Sequence, residues 1–397
     1  MDEGTVTLAA GPAFDLSEEH EAVRQMVREF AESEIRPIAA AIDVSHEFPL
    51  ATTKKMAELG LLGMFVPEAL GGAGMDSLAY VIAIEELSRV CASHGVIASV
   101  NNSLVCYPIL TYGNDAQKRK YLMPLAKGEW IGAYCLTEPN AGSNAANQQT
   151  TATPDGDHFI LNGTKLFVTN AGPADILIVY AATDKSLGAK GISAFIVEAT
   201  TPGVTKGKKE LKLGIHASDT REIAFANARV PKENLLGELN KGYSVALATL
   251  GGGRIGIAAQ ALGIAQAALE AAVRYAGERK QFDRAIGEFD AIREMLANMV
   301  IEVDTSRLLV YRAAWLRDCG RPHVKEASLA KWHASEAATR AANWAIQIHG
   351  GYGYLTEFTV ERLWRDARIC EIYEGTSEVQ KMVVAAQLLK EHALDSA

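Results

Sequence analysis

The chain has 397 residues, 48% of them hydrophobic, and a formal net charge of −9. Such a composition supplies a sizeable core and excludes a disordered chain. The acidic balance, with no concentrated Lys/Arg face, excludes a nucleic-acid surface.

The first helix is expected to begin at Ser17, which can cap it, with Glu18 and Glu19 at its positive end. Val23, Val27, Phe30 and Ala31 follow at helical spacing, and Arg36-Pro37 marks an irregularity or an end. More helix is expected over 50–60, 76–92, 95–113 and 115–126. Gly71-Gly72-Ala73-Gly74 lacks the partners of a phosphate cradle and reads as a connector. Near residue 131 the character changes to short segments rich in Val, Ile, Thr and Phe. Turn residues separate them at Pro154-Asp155-Gly156-Asp157, Asn162-Gly163 and Thr201-Pro202-Gly203. Phe159–Leu161 and Lys165–Thr169 are expected to flank a tight Asn-Gly hairpin. Further strands are expected at Asp175–Ala182, Gly191–Ala199 and Arg221–Val230. Lys206, Lys208, Lys209 and Lys212 read as a solvated strand or loop edge.

From Gly242 onward long helices return. Ile257, Ala261, Ile264, Ala268, Ala272 and Tyr275 form one apolar stripe; Leu296, Met299, Val303, Ser306, Val310 and Ala313 form a second. A third helix runs from about Val324 to His349 and stops at Gly350-Gly351. A fourth begins near Thr376. The fold class is therefore α+β: an N-terminal helical domain (1–130), a central antiparallel β-barrel (131–240) and a C-terminal four-helix bundle (241–397). Residues 1–15 contain Asp2, Glu3 and Asp15 but no Lys or Arg, so no signal or transit peptide is expected there. No apolar run is read as a membrane span. The five cysteines, Cys91, Cys106, Cys135, Cys319 and Cys370, contain no Cys-x-x-Cys pair, so neither a disulfide framework nor a metal site is expected.

One carboxylate stands out. Glu374 lies between Tyr373 and a Gly375-Thr376-Ser377 turn, where a glycine leaves room for a substrate. Apolar surroundings would raise its pKa into the range of a base that works near neutrality. A solvated helix end is the blander reading of the same residues. Gly350-Gly351 and the Thr376-Ser377 helix start could hold a phosphate or a flavin edge, or could simply stop and start helices.

These pieces occur together and in order: Leu136-Thr137-Glu138-Pro139-Asn140-Ala141-Gly142-Ser143, Asn162 to Asn170, Arg279-Lys280-Gln281-Phe282, Gln347 to Gly353, then Tyr373-Glu374-Gly375-Thr376-Ser377. Along essentially the whole chain this resembles the acyl-CoA dehydrogenase flavoproteins. Val100 to Leu104 and Gly253 to Gly263 are similar to the short-chain (butyryl) branch. The resemblance implies FAD, a fatty acyl-CoA thioester and α,β-desaturation. Glu374 would take the α-proton while the β-hydrogen leaves as hydride to the flavin N5, and electrons would pass to an electron-transferring flavoprotein. The Glu374 amide would help polarise the thioester carbonyl. The resemblance further implies flavin contacts at Tyr134, Leu136, Thr137, Gly142, Ser143, Phe167, Val168 and Thr169. Arg279, Gln281 and Phe282 would reach the FAD of a neighbouring subunit; Gln347, Gly350 and Gly351 would serve its adenosine side, and Thr376 and Glu378 a second stretch. Ser143, Arg254, Tyr373 and Gly375 would meet substrate. A homotetramer, a dimer of dimers, and the bacterial cytoplasm are expected, with a processed mitochondrial matrix protein left open.

The chain departs from the family pattern at Asn144, Phe167, His216, Gly251, Asp283 and Asp290. Gly253 stands where other branches carry their base, and Ser377 stands where the glutaryl branch usually has His. Asp290 would repel a nearby diphosphate. Other readings of the same motifs are an oxidase, which is usually much longer, a dehydrogenase for branched or cyclic acyl groups, and a non-catalytic acyl-CoA-binding or assembly protein that has lost flavin.

Overall fold

The computed structural model describes residues 15–395; the N-terminal stretch read for targeting lies almost wholly outside these residues. Helix α1 (Glu18–Phe30) starts at Ser17, whose hydroxyl accepts from the His20 amide. At Arg36-Pro37 the chain does not end its helix. A π-turn at Ala31–Ile35 leads into α2 (Arg36–Ser45), with proline near its start, where its missing N–H is tolerated. α3 (Leu50–Glu58) follows, then α4 (Ser77–Val90), capped by Asp76. α5 (Ala92–Ser99) passes through a π segment into α6 (Tyr107–Tyr112), and α7 (Asp115–Gln117) and α8 (Met123–Ala126) complete this layer.

The strands are β1 (Gly132–Cys135), β2 (Thr151–Asp155), β3 (His158–Thr169), β4 (Ile176–Ala182), β5 (Ile192–Glu198), β6 (Val204–Lys209), β7 (Thr220–Pro231) and β8 (Leu235–Leu236). They form one open sheet in the order β6-β7-β3-β2-β4-β5-β8, with β1 beside β4. The expected closed barrel is thus corrected to an open sheet. It is also not purely antiparallel, since β4 pairs parallel with both β1 and β2. The expected Asn162-Gly163 hairpin is absent as well. Both residues lie inside β3, at a register shift against β7 between Leu161 and Gly163. Gly163 has φ 145°, and a Cβ there would come within 2.4 Å of the Thr150 hydroxyl, so the glycine serves a bulge rather than a turn. The β2–β3 turn uses Gly156 instead, at φ 57°.

The lysine cluster is not a solvated edge throughout. Lys206 Nζ donates to the Gly172 and Ala174 carbonyls, and Lys212 Nζ to that of Ser218. Burial lowers the Lys212 pKa to about 8. Alternation on β4 divides the core: Ile176, Ile178 and Tyr180 face the helices, while Leu177, Val179 and Ala181 face a separate apolar cluster.

After the sheet come α9 (Gly242–Glu278), a short ribbon of β9 (Lys280–Gln281) and β10 (Arg284–Ala285), α10 (Asp290–Asp318), α11 (Val324–His349), α12 (Thr359–Cys370) and α13 (Ser377–Asp395). The expected bundle of α9, α10, α11 and α13 is present, with α12 as an added helix against α9 and α11. By length and composition α9 could cross a membrane, contrary to the expectation of no such run. The apolar window is 78% buried inside the protein, as befits a core helix.

Candidate active site

Glu374 is positioned by two consecutive left-handed residues, Glu374 at φ 51° and Gly375 at φ 95°. Positive φ is uncommon for a residue with a side chain and persists only where neighbours hold it. Here the holding groups are explicit. Gln380 Nε2 donates to the carbonyls of Glu374 (3.2 Å) and Gly375 (3.0 Å). Lys331 Nζ, from the N-terminal half of α11, donates to the Gly375 carbonyl at 2.6 Å. The Tyr373 hydroxyl donates to Gln260 Oε1 on α9, and Gln260 Nε2 donates to the Ala92 carbonyl. The loop is therefore tied to α9, α11 and α13.

The carboxylate points at α9. A Cβ on Gly253 would lie 2.0 Å from Glu374 Oε2, so the acid and a side chain at 253 compete for one space. Oε2 is buried and has no hydrogen-bond partner. Burial raises the Glu374 pKa to about 7, opposed by the charges of Lys331 and Arg254. Arg254 is buried, with Nη1 3.4 Å from the Ser328 hydroxyl and Nε unpartnered. It lies inside α9 rather than at the helix start, twelve residues after Gly242. An arginine beside a half-buried acid that stays available as a base is a working arrangement for taking a proton near neutrality.

Of the other expected site residues, Tyr134 joins this corner: its phenol is pushed well up, by burial first and with the Glu374 charge among the causes, and its hydroxyl is buried without a partner. The Thr137 carbonyl accepts from the Leu166 amide at 2.8 Å, bringing the segments around Leu136–Thr137 and Phe167–Val168–Thr169 side by side. Phe167 is 68% exposed at φ 54°, held out as an apolar platform. Gly142 and Ser143 are exposed, and a Cβ on Gly142 would meet nothing. Beneath this loop a buried Lys165 donates to Glu138 (2.7 Å) and the Leu136 carbonyl (3.2 Å), while Glu138 accepts from the Gln149 and Thr150 amides. Thr376 caps α13 by accepting from the Val379 amide at 3.3 Å, and Glu378 is exposed in its first turn.

Arg279, Gln281, Phe282, Gln347, Gly350 and Gly351 are not brought to the Glu374 corner. Arg279 follows α9 twenty-five residues after Arg254, a span of about 38 Å at helical rise. Arg279, Gln281, His349, Gly350 and Gly351 line a cleft of ≈ 460 Å³ there. Sequence reasoning missed Lys331, Gln260 and Gln380. Only the buried face of a helix gives a lone Lys or Gln such a role, and no local motif marks it.

Residues 17–129, 133–228 and 240–389 match the family models of the acyl-CoA dehydrogenase N-terminal, middle and C-terminal domains. The chain belongs to the acyl-CoA dehydrogenase family. It is 51% identical over 377 residues to a short-chain specific acyl-CoA dehydrogenase of Clostridium acetobutylicum, covering 95% of this chain and 100% of that one. It is similar in structure to the butyryl-CoA dehydrogenase of Megasphaera elsdenii, at 45% identity and a TM-score of 0.94 over 95% of this chain and 100% of that one. A chain in the solved structure of the electron-transferring flavoprotein of Acidaminococcus fermentans is 47% identical, with a TM-score of 0.94 and the same coverage. Acyl-CoA dehydrogenases are FAD-dependent. The chain fits that cofactor: Gly142, Gly350 and Gly351 leave open backbone where a Cβ would meet nothing, and the Tyr134 hydroxyl is an unmatched donor at the base.

Proposed function

We propose that this acyl-CoA dehydrogenase desaturates a short-chain acyl-CoA thioester between its α and β carbons, with Glu374 as the base that takes the α-proton. The observation that carries this reading is the buried, unpartnered Glu374 Oε2, tuned to about 7 and facing the space that Gly253 leaves. Bound FAD supplies the hydride acceptor and the route by which electrons leave for an electron-transferring flavoprotein. Tyr134, Leu136, Thr137, Gly142, Ser143, Phe167, Val168 and Thr169 would hold the flavin, with Thr376 and Glu378 nearby. The Glu374 amide would donate to the thioester oxygen, and Arg254, Tyr373 and Gly375 would confine the acyl group against the base.

The ~38 Å between Arg254 and Arg279 along α9 supports an assembly in which Arg279, Gln281, Phe282, Gln347, Gly350 and Gly351 serve a site on another copy. A homotetramer with three domains per chain (1–130, 131–240, 241–397) in the bacterial cytoplasm is the corresponding expectation. Anaerobic titration tests the activity. Bleaching of the flavin by butyryl-CoA, and its slowing by Glu374→Gln, are expected; a flavin-loaded protein that no short-chain thioester bleaches refutes the reading.

A further inference from the structure

Lys165 and Glu138 form the most deeply buried ion pair among the described residues. Lys165 Nζ lies 2.7 Å from Glu138 Oε1, and the two side chains are 0% and 1% exposed. Desolvating two charges cancels most of what their attraction contributes, and apolar residues of the same volume often hold a fold as well. Burial pushes the Lys165 pKa down to about 8 even with Glu138 opposing it, so the ammonium is kept there against a cost. Stability alone is therefore a weak account of the pair, and what the two charges hold is a stronger one.

The pair lies under the segment that the flavin reading sets against the ring. Lys165 Nζ donates to the Leu136 carbonyl at 3.2 Å and to Gln148 Oε1. Gln148 Nε2 donates to the same Leu136 carbonyl at 3.1 Å and to that of Ala145 at 2.9 Å. The next carbonyl, that of Thr137, accepts from the amide of Leu166, the neighbour of the lysine on β3. Glu138 closes the far side. Its carboxylate accepts from the Gln149 and Thr150 amides just before β2, and its backbone exchanges two hydrogen bonds with Ala141, at 3.2 and 3.1 Å. The consequence is directional: the Leu136 and Thr137 carbonyls both point inward to protein donors, so neither is turned towards the cofactor.

We propose, resting on the flavin contacts inferred above, that Lys165 and Glu138 are positioning residues: the pair holds the Leu136 and Thr137 carbonyls away from the flavin ring and so favours the reduced cofactor over the oxidised one. Reduced flavin is the more electron-rich form. A carbonyl released towards the ring would oppose that added charge, while a carbonyl tied inward does not. The two charges act through the backbone they hold and need no contact with the cofactor themselves.

The test separates positioning from stability in the full-length, flavin-loaded protein. Lys165→Met alone strands the Glu138 charge in the interior and should lower the melting temperature most. Lys165→Met combined with Glu138→Gln removes both charges and should recover much of that loss. In this double variant FAD release on dilution, read by the recovered fluorescence of the free cofactor, should still be at least ~10-fold faster than in the wild type. Affinity for reduced flavin should fall ~10-fold more than affinity for oxidised flavin, which lowers the two-electron potential by about 30 mV in a dye-equilibrium titration. A double variant with wild-type release and potential overturns the proposal, as do release rates that merely follow the melting temperature across the three proteins. Where the double variant does not fold, Gln148→Leu decides the matter. It takes one donor from the Leu136 carbonyl and leaves both charges in place; release should quicken and the potential fall, and an unchanged potential overturns the proposal. Thr137→Ala leaves the pair intact and checks the underlying contacts separately: a wild-type release rate there would mean that this segment does not meet the flavin.

Discussion

The two ends of helix α9 are built on opposite terms. Around Gly253 the helix is buried, the Glu374 carboxylate fills the gap a glycine leaves, and Lys331, Gln260 and Gln380 fix the loop that presents it. Around Arg279 the chain is open. Phe282 is 87% exposed, Phe282 and Asp283 both sit at positive φ, and the adjoining cleft faces outward. A group that must be desolvated to act is completed within one chain. The Arg279 end is left exposed, with two residues already held at positive φ.

The largest effect should come from the first corner. Glu374→Gln removes the base while preserving shape, so turnover should fall at least ~10²-fold with flavin content unchanged. Normal rates would mean that the proton goes elsewhere. Gly253→Ala attacks the same corner from the helix side. Its methyl would stand 2.0 Å from Oε2, so either the loop shifts or the carboxylate turns away. Overpacking of this kind costs about 1–3 kcal/mol; turnover should drop roughly tenfold or more and the melting temperature should fall. An unaffected enzyme would show that the loop is not held as tightly as its hydrogen bonds indicate.

At the second corner the expected effect is smaller and of another kind. Arg279→Gln should weaken FAD retention about tenfold, the scale of one hydrogen bond to a charged group. It should leave the pH dependence of turnover alone. Flavin content that also falls on dilution of the protein would join this corner to assembly. If Arg279→Gln instead moved the pH profile, the separation of the two corners would break down.

The two corners also differed in how readable they were. Arg279-Lys280-Gln281-Phe282 and Gln347 to Gly351 are contiguous segments, and a contiguous segment can be singled out before the fold is known. Glu374 stood out in the sequence for the same reason. Its supports were not: Lys331, Gln260 and Gln380 come from three helices and meet only when those helices pack. The layer order was legible because helical and alternating periodicities differ. The closure of the sheet was not, since strand pairing depends on register across the whole sheet rather than on local pattern. Asn162-Gly163 misled because an Asn-Gly pair suits a hairpin, while tertiary packing against Thr150 made this glycine a bulge.

The pH dependence sharpens the contrast at a more modest scale. With the Glu374 pKa raised to about 7, the base is mostly protonated below that pH, so kcat/KM should rise with pH through about 7. Lys331 opposes the effect of burial, and Lys331→Met should therefore move the midpoint upward. The same shift acts on stability. The folded state holds the Glu374 proton more tightly than the unfolded one, so its contribution is fully present below about 4.5. It is lost as pH rises toward about 7. Glu374→Gln should flatten that slope in thermal melts across the same window; a slope that persists belongs to another group.

Asp290 should have the smallest effect of all. In sequence it looked like a charge that would repel a diphosphate. In the structure its side chain is fully exposed in the first turn of α10, 3.8 Å from Arg293. Carboxylates are favoured at that end of a helix, and an exposed pair of this kind is worth little. The cleft beside Arg279 is lined by other residues. Asp290→Asn should therefore change stability by less than about 0.5 kcal/mol and leave FAD affinity within about twofold, read by flavin titration at low and high salt. Should affinity rise strongly at low salt and not at high salt, the carboxylate acts on the bound phosphates through space, and the exposed end of α9 is more tightly coupled to its ligand than its geometry in one chain indicates.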